Sequence, residues 1–210
     1  MARILITSGP TRQYLDPVRY LTNASSGRMG RALAQAALEM GHEVVMVSGP
    51  VEVEYPAGVE IVWVTSTEEM LEKSREVYEN CDGLIGAAAP CDYRPLRVEE
   101  NKIAKDGHPL VLHLIETPDV VATIGSEKRP DQWTVGFALE TEDQRFRAIT
   151  KMERKSCDLM VLNGPEAMNS LNNQIEILDP PGNMIKSARG TKEEVAQVIL
   201  ATIQEILIPS

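Results

Sequence analysis

The sequence predicts an α/β protein with a doubly wound, mainly parallel sheet, and three observations point that way. Short apolar runs alternate with helix-period segments from the first residues onward, which is the order of βαβ units. The runs are continuous rather than alternating, as in strands covered on both faces. Three of them end alike, in Ser8-Gly9-Pro10, Ser48-Gly49-Pro50 and Asn163-Gly164-Pro165, so one edge of the sheet should gather three turns, and ligands bind at that carboxyl edge in such folds.

The elements follow in order. RILITS (3–8) is the first strand, and a long loop from Gly9 to Gly27 separates it from a helix over about 26–40. Met29, Leu33, Ala36, Ala37 and Met40 recur there at helical spacing, Ser25 or Ser26 is available as a cap, and Gly41 is a stop. EVVMVS (43–48) and VEIVWVT (59–65) read as strands. Ser66-Thr-Glu-Glu69 is a capping box opening a helix to about residue 79. GLIGAAA (83–89) is the next strand. About twenty polar residues without periodicity follow, a length that inside a compact domain usually marks a functional loop, here a flap over about 93–108. LVLHLI (110–115), a short helix from about Pro118, WTVGFA (133–138), a basic helix over 145–155 and DLMVLN (158–163) resume the alternation. NQIEILDPPGNMIKSA reads as a hairpin turning at Pro-Pro-Gly-Asn, and a helix over 192–207 ends the chain. The expected organisation is a single domain over 1–210.

Bulk composition narrows the function. At 210 residues and 43% hydrophobic, the chain can bury a sizeable core. No apolar run approaches the length of a membrane span and the first residues lead directly into a strand, so a soluble cytoplasmic protein with no membrane partner is expected. Cys81, Cys91 and Cys157 form no Cys-x-x-Cys pair, and His42, His108 and His113 are scattered, which argues against structural zinc and a disulfide framework. A net charge of −10 argues against broad nucleic-acid binding. The exception is RFRAITKMERK (145–155), five bases against one acid, which leaves −14 for the remainder. Arg147, Lys151 and Lys155 share a helical face there, and that face is either solvated or an anion site.

The loop before the first helix is the strongest candidate. Ser25, Ser26 and Gly27 can present bare amides at a helix start, a ready site for phosphate, with Arg12 and Arg19 in the same loop. Walker A is excluded because Gly27 is followed by Arg28-Met29. A dinucleotide fingerprint, and with it a rival NAD(P)-dependent oxidoreductase, is disfavoured because the second strand ends Ser48-Gly49 without an acid and no tyrosine has lysine four residues on. Gly86-Ala87-Ala88-Ala89 suits close packing, and equally a flat ring lying on the backbone, with Asp92 beyond it as an acceptor for sugar hydroxyls or a metal ligand. Lys102 and Lys105 read as surface lysines or as cations on a closing segment. Phe137, ahead of Glu140, suits the core unless a base lies nearby.

Together, LITSGPTRQYLDPVRYLTNASSGRMG, VSGPV, AAAPCDYR, NKIAK, TPDVV, VGFALET, KMERKSCDLMVLN and NNQIEIL resemble the phosphopantothenoylcysteine synthetase family, the ligase step of coenzyme A biosynthesis, over nearly the whole chain. The resemblance implies a Rossmann-like sheet and a two-step reaction. The carboxylate of 4'-phosphopantothenate attacks the α-phosphate of CTP to give an acyl-cytidylate and pyrophosphate, and the amine of cysteine then displaces CMP. It implies magnesium on the phosphates, a homodimer, and in many bacteria a flavin-containing decarboxylase domain as partner. It also implies roles. Gly86, Ala87, Ala88, Asp92, Pro118, Asp119, Val120, Val121, Phe137, Lys151 and Lys155 match nucleotide-binding positions, and Lys102 matches the flap lysine. Asn23 matches the residue acting on the acyl intermediate. Arg19, with Asn23, Ala88 and Ala89, matches the acid-substrate site, Arg19 serving the neighbouring subunit. Two departures stand out: Arg28 where the family often has lysine, and Lys102-Ile103-Ala104-Lys105 where its flap commonly carries a third lysine.

Overall fold

The computed structural model describes residues 1–139, 144–163 and 172–209. In chain order the elements are β1 (Arg3–Ser8), β2 (Arg12–Tyr14), β3 (Tyr20–Thr22), α1 (Arg28–Glu39), β4 (Glu43–Ser48), β5 (Glu60–Trp63), α2 (Thr67–Tyr78), β6 (Gly83–Gly86), β7 (Tyr93–Pro95), β8 (Leu114–Glu116), α3 (Val120–Glu127), β9 (Trp133–Leu139), α4 (Gln144–Arg154), β10 (Leu159–Asn163), β11 (Asn172–Leu178), β12 (Met184–Thr191) and α5 (Lys192–Ile206).

Eight strands form one sheet in the order β12-β11-β10-β9-β6-β1-β4-β5. All neighbours from β10 to β5 are parallel, and β11 and β12 add an antiparallel hairpin on one side. The chain leaves β1 toward β4 and β5, then returns past β1 to β6, β9 and β10. The switch point therefore lies between β1 and β6, where doubly wound sheets open a crevice at their carboxyl ends.

Alternation along the strands feeds both faces. Ile4, Ile6, Met46 and Val161 pack with Leu33 and Ala37 of α1 and Ile199 and Ile203 of α5. Leu5, Val47 and Leu84 turn the other way, onto Met70 and Leu71 of α2 and Ile124 of α3, while Met160 and Leu162 meet Ala148 and Met152 of α4. Strands buried on both faces explain the continuous apolar runs. Among the described residues no helix is long and apolar enough to cross a membrane, and the three cysteines are buried and free.

The expected elements are present, with five differences, one being that Tyr93–Pro95, at the start of the expected flap, forms the short strand β7. The β2–β3 hairpin was not anticipated, because strands of three residues carry too little pattern to register. Helix α1 starts at Arg28, and neither Ser25 nor Ser26 caps it: Gly27 is its N-cap at φ 74° with no side-chain bond. Only Leu114–Glu116 of the 110–116 region forms a strand, paired with β7, since Leu110, Val111 and Leu112 are exposed and meet no sheet. The GLIGAAA strand stops at Gly86. The capping box does form at Ser66 and Glu69, and a second, unforeseen one at Thr191 and Glu194 opens α5. Gly164-Pro165 and Glu140 fall outside the described residues.

The turns after β1 and β4 press together. A Cβ at Gly49 would lie 1.7 Å from the carbonyl oxygen of Pro10, a backbone atom that cannot rotate away. Gly49→Ala is expected to destabilise the protein by about 1–3 kcal/mol through overpacking, measured as a lowered midpoint in urea.

Candidate active site

The crevice at the switch point is built by the ends of β1, β6, β9 and β10. Backbone bonds bind the loop after β6 to β1: Ala87 N–H donates to Thr7 O at 3.2 Å and Ala89 N–H to Gly9 O at 2.9 Å. Below it, Ser8 and Ser48 share one partner. The Tyr55 hydroxyl lies 2.9 Å from Ser8 Oγ and 2.7 Å from Ser48 Oγ, and Ser8 Oγ donates to Gly27 O at 3.4 Å. This hydroxyl cluster explains two of the repeated Ser-Gly-Pro strand ends and sets the first turn of α1. Gly27 must be glycine, since its φ is left-handed and a Cβ would approach Val51 to 2.8 Å.

Two adjoining cavities result. The larger, about 500 Å³, is lined by Asn23, Ser25, Ser26, Gly27 and Arg28 on one side and by Ala87, Ala88, Ala89, Asp92, Phe137 and Lys151 on the other. Asn163, from one of the three strand ends expected on this edge, completes it together with Asn173 and Lys192, which the sequence did not single out. A recess of about 110 Å³ shares Ala88, Asp92 and Phe137 with it and adds Gly86, Pro118, Asp119, Val120, Val121 and Lys155. Every nucleotide position inferred from the sequence except Lys102 thus borders one of two contiguous cavities, although the segments lie far apart in the chain. Lys192 had no signal to find it by, because only the docking of α5 beside α1 brings it here. Burial, and then the charge of Arg28, hold its ammonium below the ordinary lysine range.

The electrostatics were only half legible. Asp119 caps α3, accepting from Ala122 N–H at 3.1 Å, and its other oxygen lies 3.1 Å from Lys155 Nζ and 3.4 Å from Arg154. Lys155 is therefore held in place by a carboxylate. Arg145 pairs with Glu176 at 3.0 Å, so part of the basic helix serves structure. Asn23 also has partners: its amide nitrogen donates to Pro90 O at 2.8 Å and Ala89 O at 3.2 Å, joining the two loops.

Lys102 and Arg19 lie elsewhere. Lys102 borders a separate groove of about 860 Å³ with Leu15, Ile103 and Leu110. Arg19 is clasped to Asp16, with Nε 2.9 Å from Oδ2, and donates through Nη2 to Ile103 O at 2.6 Å. Asp16, with no exposed side-chain surface, also accepts from the N–H groups of Val18, Arg19 and Ile103. Burial opposes its charge, but these donors outweigh it and hold the carboxyl far below the usual 3.8. The local part of this clasp, an aspartate accepting two and three residues on, was readable in Asp16-Pro-Val-Arg19; the link to Ile103 was not.

The fold is that of a doubly wound α/β protein, whose ligand crevice opens at the switch point, and here that crevice carries small residues and cations. The profile of the family described as DNA/pantothenate metabolism flavoprotein C-terminal domain matches residues 1–207, and the chain belongs to that family. It is 39% identical to the coenzyme A biosynthesis bifunctional protein CoaBC of Vibrio vulnificus (strain YJ016), over 97% of this chain and 52% of that protein. It is 42% identical to a protein named cysteine/cysteine sulfinic acid decarboxylase from an unknown prokaryotic organism, over 96% of this chain and 57% of that one. The chain spans about half the length of these relatives. A crystal structure of the C-terminal domain of CoaBC superposes with TM-score 0.82 at 38% identity, covering 98% of this chain and 95% of that one.

The clasp yields a prediction. Because the folded pKa of Asp16 is depressed, its contribution is present above about pH 3.8 and is lost as pH falls from there through the lower folded value. Asp16→Asn should therefore mimic strong acid at neutral pH, and limited trypsin digestion should cut after Lys102 faster than in the wild type while the sheet stays resistant.

Proposed function

We propose that this chain joins 4'-phosphopantothenate to cysteine at the expense of CTP, through an acyl-cytidylate, as a ligase of coenzyme A biosynthesis. The observation that carries the reading is the convergence on one crevice of the uncapped start of α1, the small backbone of Gly86–Ala89 and the ammonium groups of Lys151 and Lys155. In a chain of net charge −10, such a gathering suits a polyanion.

The chemistry explains the layout. A carboxylate resists an amine until it carries a good leaving group, and bringing it to a triphosphate crowds like charges. Preorganised amides and cations lower that cost where charge develops. The nucleoside lies along Ala87, Ala88 and Phe137, and its phosphates meet Ser25, Ser26, Gly27, Lys151 and Lys155. An incoming phosphate competes with Asp119 for Lys155. Asn23 exchanges its longer bond, to Ala89 O, for the acyl carbonyl of the intermediate, donating without adding charge. Magnesium fits the donor set, since Asp92 borders both cavities without an ion-pair partner among the described residues and a hard cation needs few carboxylates beside phosphate oxygens. When bound, it neutralises phosphate charge. Lys102 reaches the site only when the flap leaves its groove. The expected homodimer has a candidate surface in the exposed Leu96, Leu110 and Val111.

Mixed with 4'-phosphopantothenate, magnesium and CTP but no cysteine, the protein should release pyrophosphate only when the acid is present, and more slowly with ATP; release independent of the acid would refute the reading. Lys155→Gln should raise KM for CTP by about tenfold or more, the scale of one charge-assisted bond, with little change in the unfolding midpoint. Asn23→Ala should bind CTP normally yet accumulate or stall at the acyl-cytidylate in rapid-quench experiments.

A further inference from the structure

One corner of the larger cavity has no part in the reading so far. It is formed by Asn163, Asn173 and Lys192. Strand pairing brings two of them together, because Asn173 of β11 lies opposite Gly190 of β12, two residues before Lys192. Both border this cavity, and neither borders the recess beside Lys155 or a second cleft, of about 580 Å³, that opens between the β2–β3 hairpin and residues 50–53 beyond the Asn23–Arg28 segment.

The two side chains are each left incomplete in opposite senses. Asn173 is 3% exposed; its Nδ2 donates to Asn163 Oδ1 at 3.4 Å, while its Oδ1 is buried and accepts no hydrogen bond among the described residues. A buried carbonyl oxygen without a donor costs about 1–3 kcal/mol. The bond to Asn163 is long and weak, so the amide can tilt toward an N–H that enters the cavity. Lys192 is the first residue of α5, and three effects oppose its charge: burial, the nearby Arg28, and the positive end of the helix dipole. Glu193 offsets only part of this. An anion in the cavity counters all three.

We propose that this corner is the subsite for the amino-acid substrate, with Lys192 holding the carboxylate of cysteine and the Asn173 amide oxygen accepting from its amine N–H. The inference rests on the ligase reading and deepens it. In that reading Lys151 and Lys155 answer the triphosphate and Arg19 the acid, so the carboxylate of cysteine is the substrate anion still without a cation. Carboxylate and amine sit on one carbon of cysteine, as the ammonium and the unsatisfied oxygen sit in one corner here. The amine is then presented in the same cavity as Asn23, where the acyl carbonyl it attacks is held. Preference for an α-amino acid over a plain amine comes from Lys192.

The test follows CMP release by the full chain at saturating CTP and 4'-phosphopantothenate, with cysteine or with cysteamine, the same aminothiol lacking the carboxylate, and separately the pyrophosphate burst with no amine. Lys192→Gln should lower kcat/KM for cysteine by about 10- to 100-fold, the scale of one charge-assisted bond, with the value for cysteamine, KM for CTP and the pyrophosphate burst unchanged. Lys192→Arg should recover part of the loss, and Asn173→Ala should weaken both amines alike. Equal weakening of the two amines in Lys192→Gln, a raised KM for CTP or 4'-phosphopantothenate in that variant, or an Asn173→Ala protein that uses both amines as the wild type does overturns the subsite and leaves the ligase reading standing. Wild-type protein that releases no pyrophosphate with any nucleotide overturns the ligase reading, and this subsite with it.

Discussion

The contact between the end of β1 and the first turn of α1 underlies both clefts. Ser8 Oγ sits 2.1 Å from where a Cβ on Gly30 would be, donates to Gly27 O and accepts from Tyr55, so the helix lies directly on the strand end with no space between. Close packing of this kind admits few alternatives. It fixes where the long loop must re-enter the sheet and pushes the β2–β3 hairpin outward. The Asn23–Arg28 segment is left as a ridge with a cavity on each side. The glycines at 9, 27, 30 and 49 serve this one junction, and Tyr55, from a separate loop, joins the hydroxyls of β1 and β4 beneath it.

Charge is arranged around that ridge by the same logic. Cations held near one another repel unless a carboxylate compensates them. Asp119 does this for Lys155 and Arg154, while remaining the cap of α3. Lys192 shows the opposing cost, since burial and the nearby charge of Arg28 both disfavour its ammonium. Cations already in position need little reorganisation when an anion arrives, and preorganisation of this kind favours reactions that concentrate negative charge.

The flap shows a different balance. Between β7 and β8 the chain lacks regular structure, and several of its apolar side chains face solvent, so burial contributes little to its path. It is held instead by polar ties: Leu96 N–H to His113 O at its neck, Glu99 N–H to Leu15 O, and both backbone groups of Ile103 to Asp16 and Arg19. A segment fastened by a few hydrogen bonds and little core opens at low cost, which suits a lysine that lies outside the crevice it is expected to reach.

The eight strands of the main sheet, the helices and their order were legible because each carries its own periodicity, and the terminal hairpin because Pro-Pro-Gly-Asn names its turn. The resemblance named candidate nucleotide positions because their motifs are local, and the fold brings all of them except Lys102 to the crevice. Tertiary structure alone decided what depends on residues distant in the chain meeting: that Gly27 rather than a serine starts α1, that Tyr55 joins Ser8 and Ser48, that Asp119 holds Lys155, and that Lys192 and Asn173 reach the crevice. Periodicity is a property of neighbours along the backbone, whereas pairing, burial and charge compensation are properties of neighbours in space, set only once the sheet has brought its strand ends together.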